Sequence, residues 1–303
     1  MTIRLDGQAA IVTGAGRGLG RCHALALAER GARVLVNDLS DASGRAANAD
    51  AVVAEIEAAG GTAMSHGANV ADTDQVNDMV RRVMDAWGRV DILINNAGIL
   101  RDKTFLKMPL EDFRLVIEVH LMGTVNCTKA VWEIMREQNY GRIVFTTSSS
   151  GLYGNFGQAN YGAAKMAMVG LMNTLHLEGA KNNIHVNCLA PTAGTAMTEG
   201  LFPEPVYKLL SPESVSPAVV FLASDGAPSR KVLGAGGGSF AVFKGFETDG
   251  INLLPDKLSA EGVAAAWDRL NDEAGMKELT SGFEQATKFA VKAAEHLGID
   301  LSE

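Results

Sequence analysis

Thr13-Gly14-Ala15-Gly16-Arg17-Gly18-Leu19-Gly20 decides the reading of this chain, through what stands on either side of it. Before it runs the apolar string Ala9-Ala10-Ile11-Val12, and after it a stretch with helical character from Gly18 to Arg30. Strand, glycine-rich turn and helix in that order form a phosphate cradle. Glycine lets the backbone turn tightly and approach a phosphate, and the helix start offers unpaired N–H groups at the positive end of its dipole. Alone the turn is a weak signal, because any strand-to-helix connection can use glycine.

Working outward, short β-branched runs alternate with longer helical patterns. Strands are expected near Ala9–Thr13, Arg33–Asn37, Thr62–Ser65, Ile92–Asn95, Arg142–Thr146 and His185–Leu189. Helices are expected near Gly18–Arg30, Arg45–Ala59, Thr73–Trp87, Leu110–Glu137 and Asn160–Lys181. Continuous rather than alternating apolar strings fit strands covered on both faces, and right-handed crossovers then give an α/β doubly wound parallel sheet. Thr192–Glu204, rich in Gly, Pro and Thr, is the stretch least suited to regular structure. The alternation stops after about Gly238. We therefore expect a core over residues 1–244 and an appendage over 245–303 with helical patterns near Ala260–Asn271 and Gly282–Leu297.

The 303 residues carry 27 basic and 35 acidic side chains, a net charge of −8, and 47% hydrophobic residues. That balance supports a substantial core and argues against nucleic acid or an anionic membrane as the main partner. No apolar stretch approaches the ~20 residues of a membrane span. Cys22, Cys127 and Cys188 are scattered, without metal spacing, and suit a reducing compartment. With no secretory signal in view, the expected location is cytoplasmic.

The second strand ends in Asn37-Asp38. An acid there can accept hydrogen bonds from an adenosine ribose and repel a 2′-phosphate, favouring NAD over NADP, although Asp38 also suits a turn. Asn95-Asn96-Ala97-Gly98 closes the fourth strand, where paired amides can tie two segments together. Tyr161 and Lys165 stand at i and i+4 on one helix face, with Ser148 at the preceding strand end. A phenol titrating near ~10 needs a neighbouring ammonium to act as a base at neutral pH. Two such residues also occur by chance as an ordinary surface pair.

Taken in order, Thr13–Gly20, Asn95–Gly98, Ser148, Tyr161, Lys165 and Pro191 with Thr195 resemble the short-chain dehydrogenases/reductases over roughly residues 5 to 240. The resemblance implies a Rossmann-type single domain with a C-terminal helical extension, a nicotinamide cofactor and Ser-Tyr-Lys hydride-transfer chemistry. The catalytic residues it implies are Ser148, Tyr161 and Lys165. The cofactor residues it implies are Gly14, Gly16, Arg17, Gly18, Leu19, Asp38, Asn69, Val70, Asn96, Ala97, Gly98, Tyr161, Lys165, Pro191, Thr195 and Met197. Within the family, the runs Ile99–Lys103, Asn139–Val144 and Ser150–Tyr161 are similar to the (R)-3-hydroxyacyl-CoA dehydrogenase unit of peroxisomal multifunctional enzyme type 2 and its stand-alone bacterial relatives. Gly262–Asp268 matches the extension of that subgroup. The similarity implies an acyl-CoA or steroid substrate and a homodimer or tetramer.

Two departures stand out. His120 occupies the place where many members carry a relay asparagine, so it is read either as part of that relay or as a satisfied helix histidine. The usual Pro-Gly after the sixth strand is here Pro191-Thr192-Ala193-Gly194. Met197, Leu201, Phe202, Val206 and Tyr207 suit an apolar lid or a helix burying one face. Arg101, Lys103 and Lys107 suit CoA phosphates or a solvated charge run. The leading expectation is NAD-dependent oxidation of a (R)-3-hydroxyacyl-CoA. A 17β-hydroxysteroid dehydrogenase is the alternative enzyme, and an NAD(H)-binding scaffold or redox sensor the non-enzyme alternative.

Overall fold

The continuous apolar strings become strands with both faces covered. In the computed structural model, which describes residues 2–195 and 203–300, residues Met1–Val242 and Phe243–Glu303 form two compact units. The strands are β1 (Ala9–Val12), β2 (Arg33–Asn37), β3 (Thr62–His66), β4 (Ile92–Asn95), β5 (Gly141–Thr146), β6 (Ile184–Pro191), β7 (Val232–Gly236) and β8 (Ser239–Phe243). They join in the order β3-β2-β1-β4-β5-β6-β7-β8, and every pair from β3 to β7 is parallel. Every residue of β1, β4 and β5 is buried, which explains why those strings read as uninterrupted hydrophobic runs.

Helices cover both faces of this Rossmann-type domain: α1 (Gly18–Glu29), α2 (Ala47–Ala58), α3 (Thr73–Trp87), α4 (Leu110–Ile117), α5 (Gly123–Gln138), α6 (Ser149–Tyr153), α7 (Ala159–Gly179), α8 (Glu204–Leu209) and α9 (Ser216–Leu222). Helix α3 shows how local signals set an element. Asp72 caps its start by accepting from the N–H groups of Asp74 and Gln75, Gly88 ends it at φ 71°, and Val76, Met79, Val80 and Val83 form its buried stripe.

Three features depart from expectation. The single helix expected over Leu110–Glu137 is broken by a π-helical turn at Glu118–Met122, with His120 at its centre. Such turns have no Pro or Gly signature and occur often at functional sites. Strands β7 and β8 were not anticipated. Gly237 and Gly238, at φ 56° and 76°, make the two-residue turn between them, a geometry that sends β8 back antiparallel along β7. Helices α6, α8 and α9 were also missed, each being too short for a periodic pattern.

The second unit contains α10 (Ala260–Ala265), α11 (Trp267–Leu270) and α12 (Gly282–Leu297). The pattern read over Ala260–Asn271 is thus two short helices that meet at Ala266. Ser259 and Ser281 cap α10 and α12 through the N–H groups of Gly262 and Glu284. An antiparallel bridge joins Glu247 to Lys277, and Lys288 pairs with the Glu247 carboxylate. Among the described residues, no helix is long and apolar enough to cross a membrane, and no group of His, Cys, Asp or Glu could hold a metal ion.

Candidate active site

The sheet order reverses between β1 and β4, the place where the crevice of a doubly wound sheet opens at the carboxyl ends of the strands. Gly14 and Gly18 adopt φ of 60° and 54°, conformations that favour glycine. A Cβ on Gly14 would lie 2.7 Å from Ala97 Cα, and one on Gly16 would collide with the Asp38 carboxylate. The turn therefore leaves no room for side chains on its inner side. Behind it, α1 begins without a side-chain cap and without an acid in its first turn, so its positive end is open to an anion. Arg17 is exposed at that end.

The amides of the fourth strand end do what their pairing suggests. Asn96 Nδ2 donates to the carbonyls of Thr13 and Gly14, both at 3.0 Å. Thr13 Oγ1 in turn accepts from the N–H groups of Asn96 and Ala97 at 3.0 and 3.1 Å. Sequence reasoning missed this role of Thr13, although its place at the head of the glycine turn was in view. Asp38 is tied to the cradle as well: its Oδ2 accepts from Gly16 N at 2.9 Å, and its Oδ1 from Leu39 N at 2.8 Å. Thr195 lies beside Gly18, Val70 is buried against Gly123, and Asn69 holds the start of α3 through its N–H to Gln75 Oε1. Leu19 is half-buried in the first turn of α1. Pro191 ends β6, in register with Ala235. Helix α8 crowds Gly194, whose N–H donates to the Leu210 carbonyl at 2.6 Å, and a Cβ there would press on Tyr207. That contact explains a glycine at 194 instead of directly after Pro191. Met197, Leu201 and Phe202 lie outside the described residues.

Ser148, Tyr161 and Lys165 come together beside this crevice. Ser148 caps α6, accepting from Ser150 N at 3.2 Å, and its hydroxyl stands near enough to the Tyr161 phenol to lower its pKa. Lys165 is buried, with Nζ 5.4 Å from the centre of the Tyr161 ring. Its ammonium donates to the Thr146 carbonyl, and burial pushes its pKa down to about 7. Burial raises the Tyr161 pKa, against a lowering by the Ser148 hydroxyl, and the Asp102 charge raises it further. The expectation that the lysine charge lowers the phenol is thus not what this geometry provides: the ammonium sits over the ring face and is satisfied by backbone.

His120 is buried and meets the Tyr161 ring edge-on, with centroids 5.2 Å apart at 86°. Its Nε2 lies 2.7 Å from the Ile99 carbonyl and 3.0 Å from the Ile99 N–H, so one nitrogen serves one of them at a time. Its Nδ1 is buried without a protein partner. Burial, then the Lys165 charge, pushes the imidazole pKa down to about 3, so the ring is neutral. A Cβ on Gly98 would run into this ring. Gly98→Ala is therefore expected to destabilise the fold by about 1–3 kcal/mol. Urea unfolding midpoints would read this, and adding His120→Ala should recover most of the loss.

This arrangement can carry acid–base chemistry on an alcohol or carbonyl next to a dinucleotide cradle, and comparison with known proteins is decisive. The sequence profile described as short chain dehydrogenase matches residues 8–205. The chain belongs to the short-chain dehydrogenase family. It is 48% identical over 283 residues to peroxisomal multifunctional enzyme type 2 of Mus musculus, covering 89% of this chain and 37% of that enzyme. It is also 48% identical over 273 residues to a short-chain type dehydrogenase/reductase of Mycobacterium tuberculosis, covering 88% of this chain and 95% of that protein. The structure of full-length peroxisomal multifunctional enzyme type 2 from Drosophila melanogaster superposes with a TM-score of 0.82 at 37% identity, over 97% of this chain and 51% of that one. A 7α-hydroxysteroid dehydrogenase complexed with NADH and 7-oxoglycochenodeoxycholic acid matches at a TM-score of 0.71 and 31% identity, over 78% of this chain and 95% of its own. The chain thus spans about half or less of the length of these two multifunctional enzymes. The family is one of oxidoreductases, the short chain dehydrogenases.

Proposed function

We propose that this short-chain dehydrogenase oxidises the secondary alcohol of a (R)-3-hydroxyacyl-CoA to the 3-oxoacyl-CoA with NAD. One observation carries the catalytic part: Ser148, Tyr161 and Lys165 converge beside the Gly14–Gly20 cradle at the carboxyl edge of the sheet. The acyl-CoA part is supported by the peroxisomal multifunctional enzymes among the relatives and by the runs Ile99–Lys103 and Ser150–Tyr161. The cofactor is a nicotinamide dinucleotide. The glycine turn fits it, since the side chains that would block a phosphate are missing there and the α1 end is open. Bound there, it supplies the hydride acceptor. Gly14, Gly16, Gly18 and Leu19 would hold its phosphates, with Arg17 beside them. Asp38 would hold its adenosine ribose, Asn69 and Val70 its adenine, and Asn96, Ala97, Gly98, Pro191 and Thr195 the approach to its ring.

The chain's own residues then divide the proton work. Ser148 donates a hydrogen bond to the substrate oxygen and fixes it near the Tyr161 hydroxyl. In the oxidative direction, Tyr161 must be deprotonated to take the alcohol proton. Because burial raises its pKa, oxidation gains with rising pH, and reduction is favoured at lower pH, where the phenol is the donor. Lys165 contributes positive charge below its pKa of about 7. His120, held neutral, carries no charge into the site and lines it beside the tyrosine.

Asp38 gives a test of cofactor choice. Asp38→Asn keeps an acceptor for Gly16 N–H and removes the charge that repels a 2′-phosphate. The kcat/KM ratio of NADP over NAD is expected to rise by about tenfold. An unchanged ratio would assign Asp38 to holding the turn alone. A second reading, oxidation of a hydroxysteroid, is favoured by the structural match to the 7α-hydroxysteroid dehydrogenase. Following NADH formation with short, long and steroid side-chain (R)-3-hydroxyacyl-CoA esters beside a free 17β-hydroxysteroid separates the two. Turnover of the free steroid with silence on every thioester would replace the first reading with the second.

A further inference from the structure

We propose that Gln158 and Asp102 are positioning residues for Tyr161, clamping the segment that follows β4 against the turn that leads into α7. The inference rests on the reading of Tyr161 as the group that exchanges the substrate proton. Three consecutive residues of the segment are held by that turn. Asn160 Nδ2 donates to the Arg101 carbonyl at 3.1 Å, Gln158 Nε2 to Asp102 Oδ2 at 2.6 Å, and the Lys103 N–H to the Gly157 carbonyl at 2.9 Å. At the start of the same segment, Ile99 is held by His120.

Gln158 is the centre of this clamp. It is buried, and its amide is used at both ends: while Nε2 holds Asp102, Oε1 accepts from Ser150 Oγ at 2.7 Å and from Asn155 Nδ2 at 3.0 Å. The same Ser150 donates its N–H to Ser148 Oγ. Asn160, also buried, accepts from the Tyr161 N–H at 2.7 Å. The amide of one residue therefore links the helix capped by Ser148 to the first turn of the helix carrying Tyr161. A buried polar group satisfied this fully is costly to break and fixes the geometry of its neighbours.

Asp102 adds a charge to the clamp, and Asp102 is exposed. Around Tyr161 stand Lys165 on α7, His120 on the π-helical turn and Ser148 before α6, and the charge of the exposed Asp102 on the clamped segment adds to the raising of its pKa. Arg101 and Lys103 are engaged with Asp112 of α4, at 3.9 and 3.1 Å. Asp102 is thus the carboxylate that acts on the phenol, and it favours the protonated form.

Two variants separate geometry from charge. Asp102→Asn keeps an acceptor for the Gln158 amide and loses the carboxylate. A near-ultraviolet tyrosinate titration, each protein minus its Tyr161→Phe counterpart, reads Tyr161 without any substrate. Tyr161 is expected to titrate at lower pH in Asp102→Asn than in wild type, and the rising limb of the oxidation pH profile should move the same way. Gln158→Leu is expected to lower kcat about tenfold at every pH while the KM for the cofactor stays within about twofold. A Tyr161 titration unmoved or raised in Asp102→Asn overturns the proposal, as does a wild-type kcat in Gln158→Leu. Should Gln158→Leu fail to fold, Asp102→Ala removes the acceptor of the Gln158 amide at an exposed site and is expected to lower kcat several-fold, an unchanged kcat there overturning the proposal. Silence of the wild type on every (R)-3-hydroxyacyl-CoA would sink the substrate reading and leave the titration result standing.

Discussion

Tyr161→Phe is expected to lower turnover by about three orders of magnitude while leaving NADH affinity within a few-fold of wild type, because it removes the hydroxyl proposed to exchange the substrate proton and little else. The ring stays, so its edge-on contact with His120 and its place under the Lys165 ammonium are kept. What goes is the hydroxyl that stands near Ser148. Removing the hydroxyl of a half-buried phenol that prefers its neutral form adds no unpaired charge, so the fold should tolerate the change. Fluorescence titration with NADH beside steady-state rates gives both readouts. Turnover near wild type would remove tyrosine from the chemistry, and loss of NADH binding would make its role structural.

Lys165→Met should cost about two to three orders of magnitude in kcat. Methionine fills a similar volume but removes the amine that stands over the Tyr161 ring, donates to the Thr146 carbonyl and is expected from the resemblance to hold the cofactor. The same variant carries a stability signature whose sign follows from burial. The folded lysine titrates near 7 and the unfolded one near its ordinary 10.5, so between these values the unfolded chain binds more protons and wild-type stability rises with pH. Below about 7 both forms are protonated, and the full cost of burying the ammonium is present. Lys165→Met has no such dependence. The stability difference between the two proteins should therefore shift in favour of wild type as pH rises through this window, measured by urea unfolding at several pH values. A difference that stays constant with pH would contradict a lysine held near 7.

Strands β1, β2, β4, β5 and β6 were legible because each carries a largely buried apolar run, which leaves a one-dimensional trace; β3, Thr62-Ala63-Met64-Ser65-His66 at the sheet edge, is half-exposed and is no such run. Strand β7 was not legible, since Val232-Leu233-Gly234-Ala235-Gly236 mixes glycine into the run, and the Gly237-Gly238 turn then reads as a loop. The break in the helix around His120 left no mark because nothing in Glu118–Met122 forbids an α-helix. At the site, spacing along the chain was enough to place Tyr161 and Lys165 on one helix face and the glycine turn at a strand end. Spacing does not say where a flexible side chain sends its tip. The Lys165 ammonium goes to the Thr146 carbonyl, and the Tyr161 pKa is raised rather than lowered. The clamp between Gln158 and Asp102 joins two loops distant in sequence, and only folding brings them together.

The proposed activity is tested most directly by following NADH formation with the (R) and (S) enantiomers of one 3-hydroxyacyl-CoA, with Tyr161→Phe as the control. Oxidation of the (R) ester, dependent on Tyr161 and absent for the (S) ester, is the predicted result. Equal turnover of both enantiomers, or none of either while NADH still binds, would contradict it.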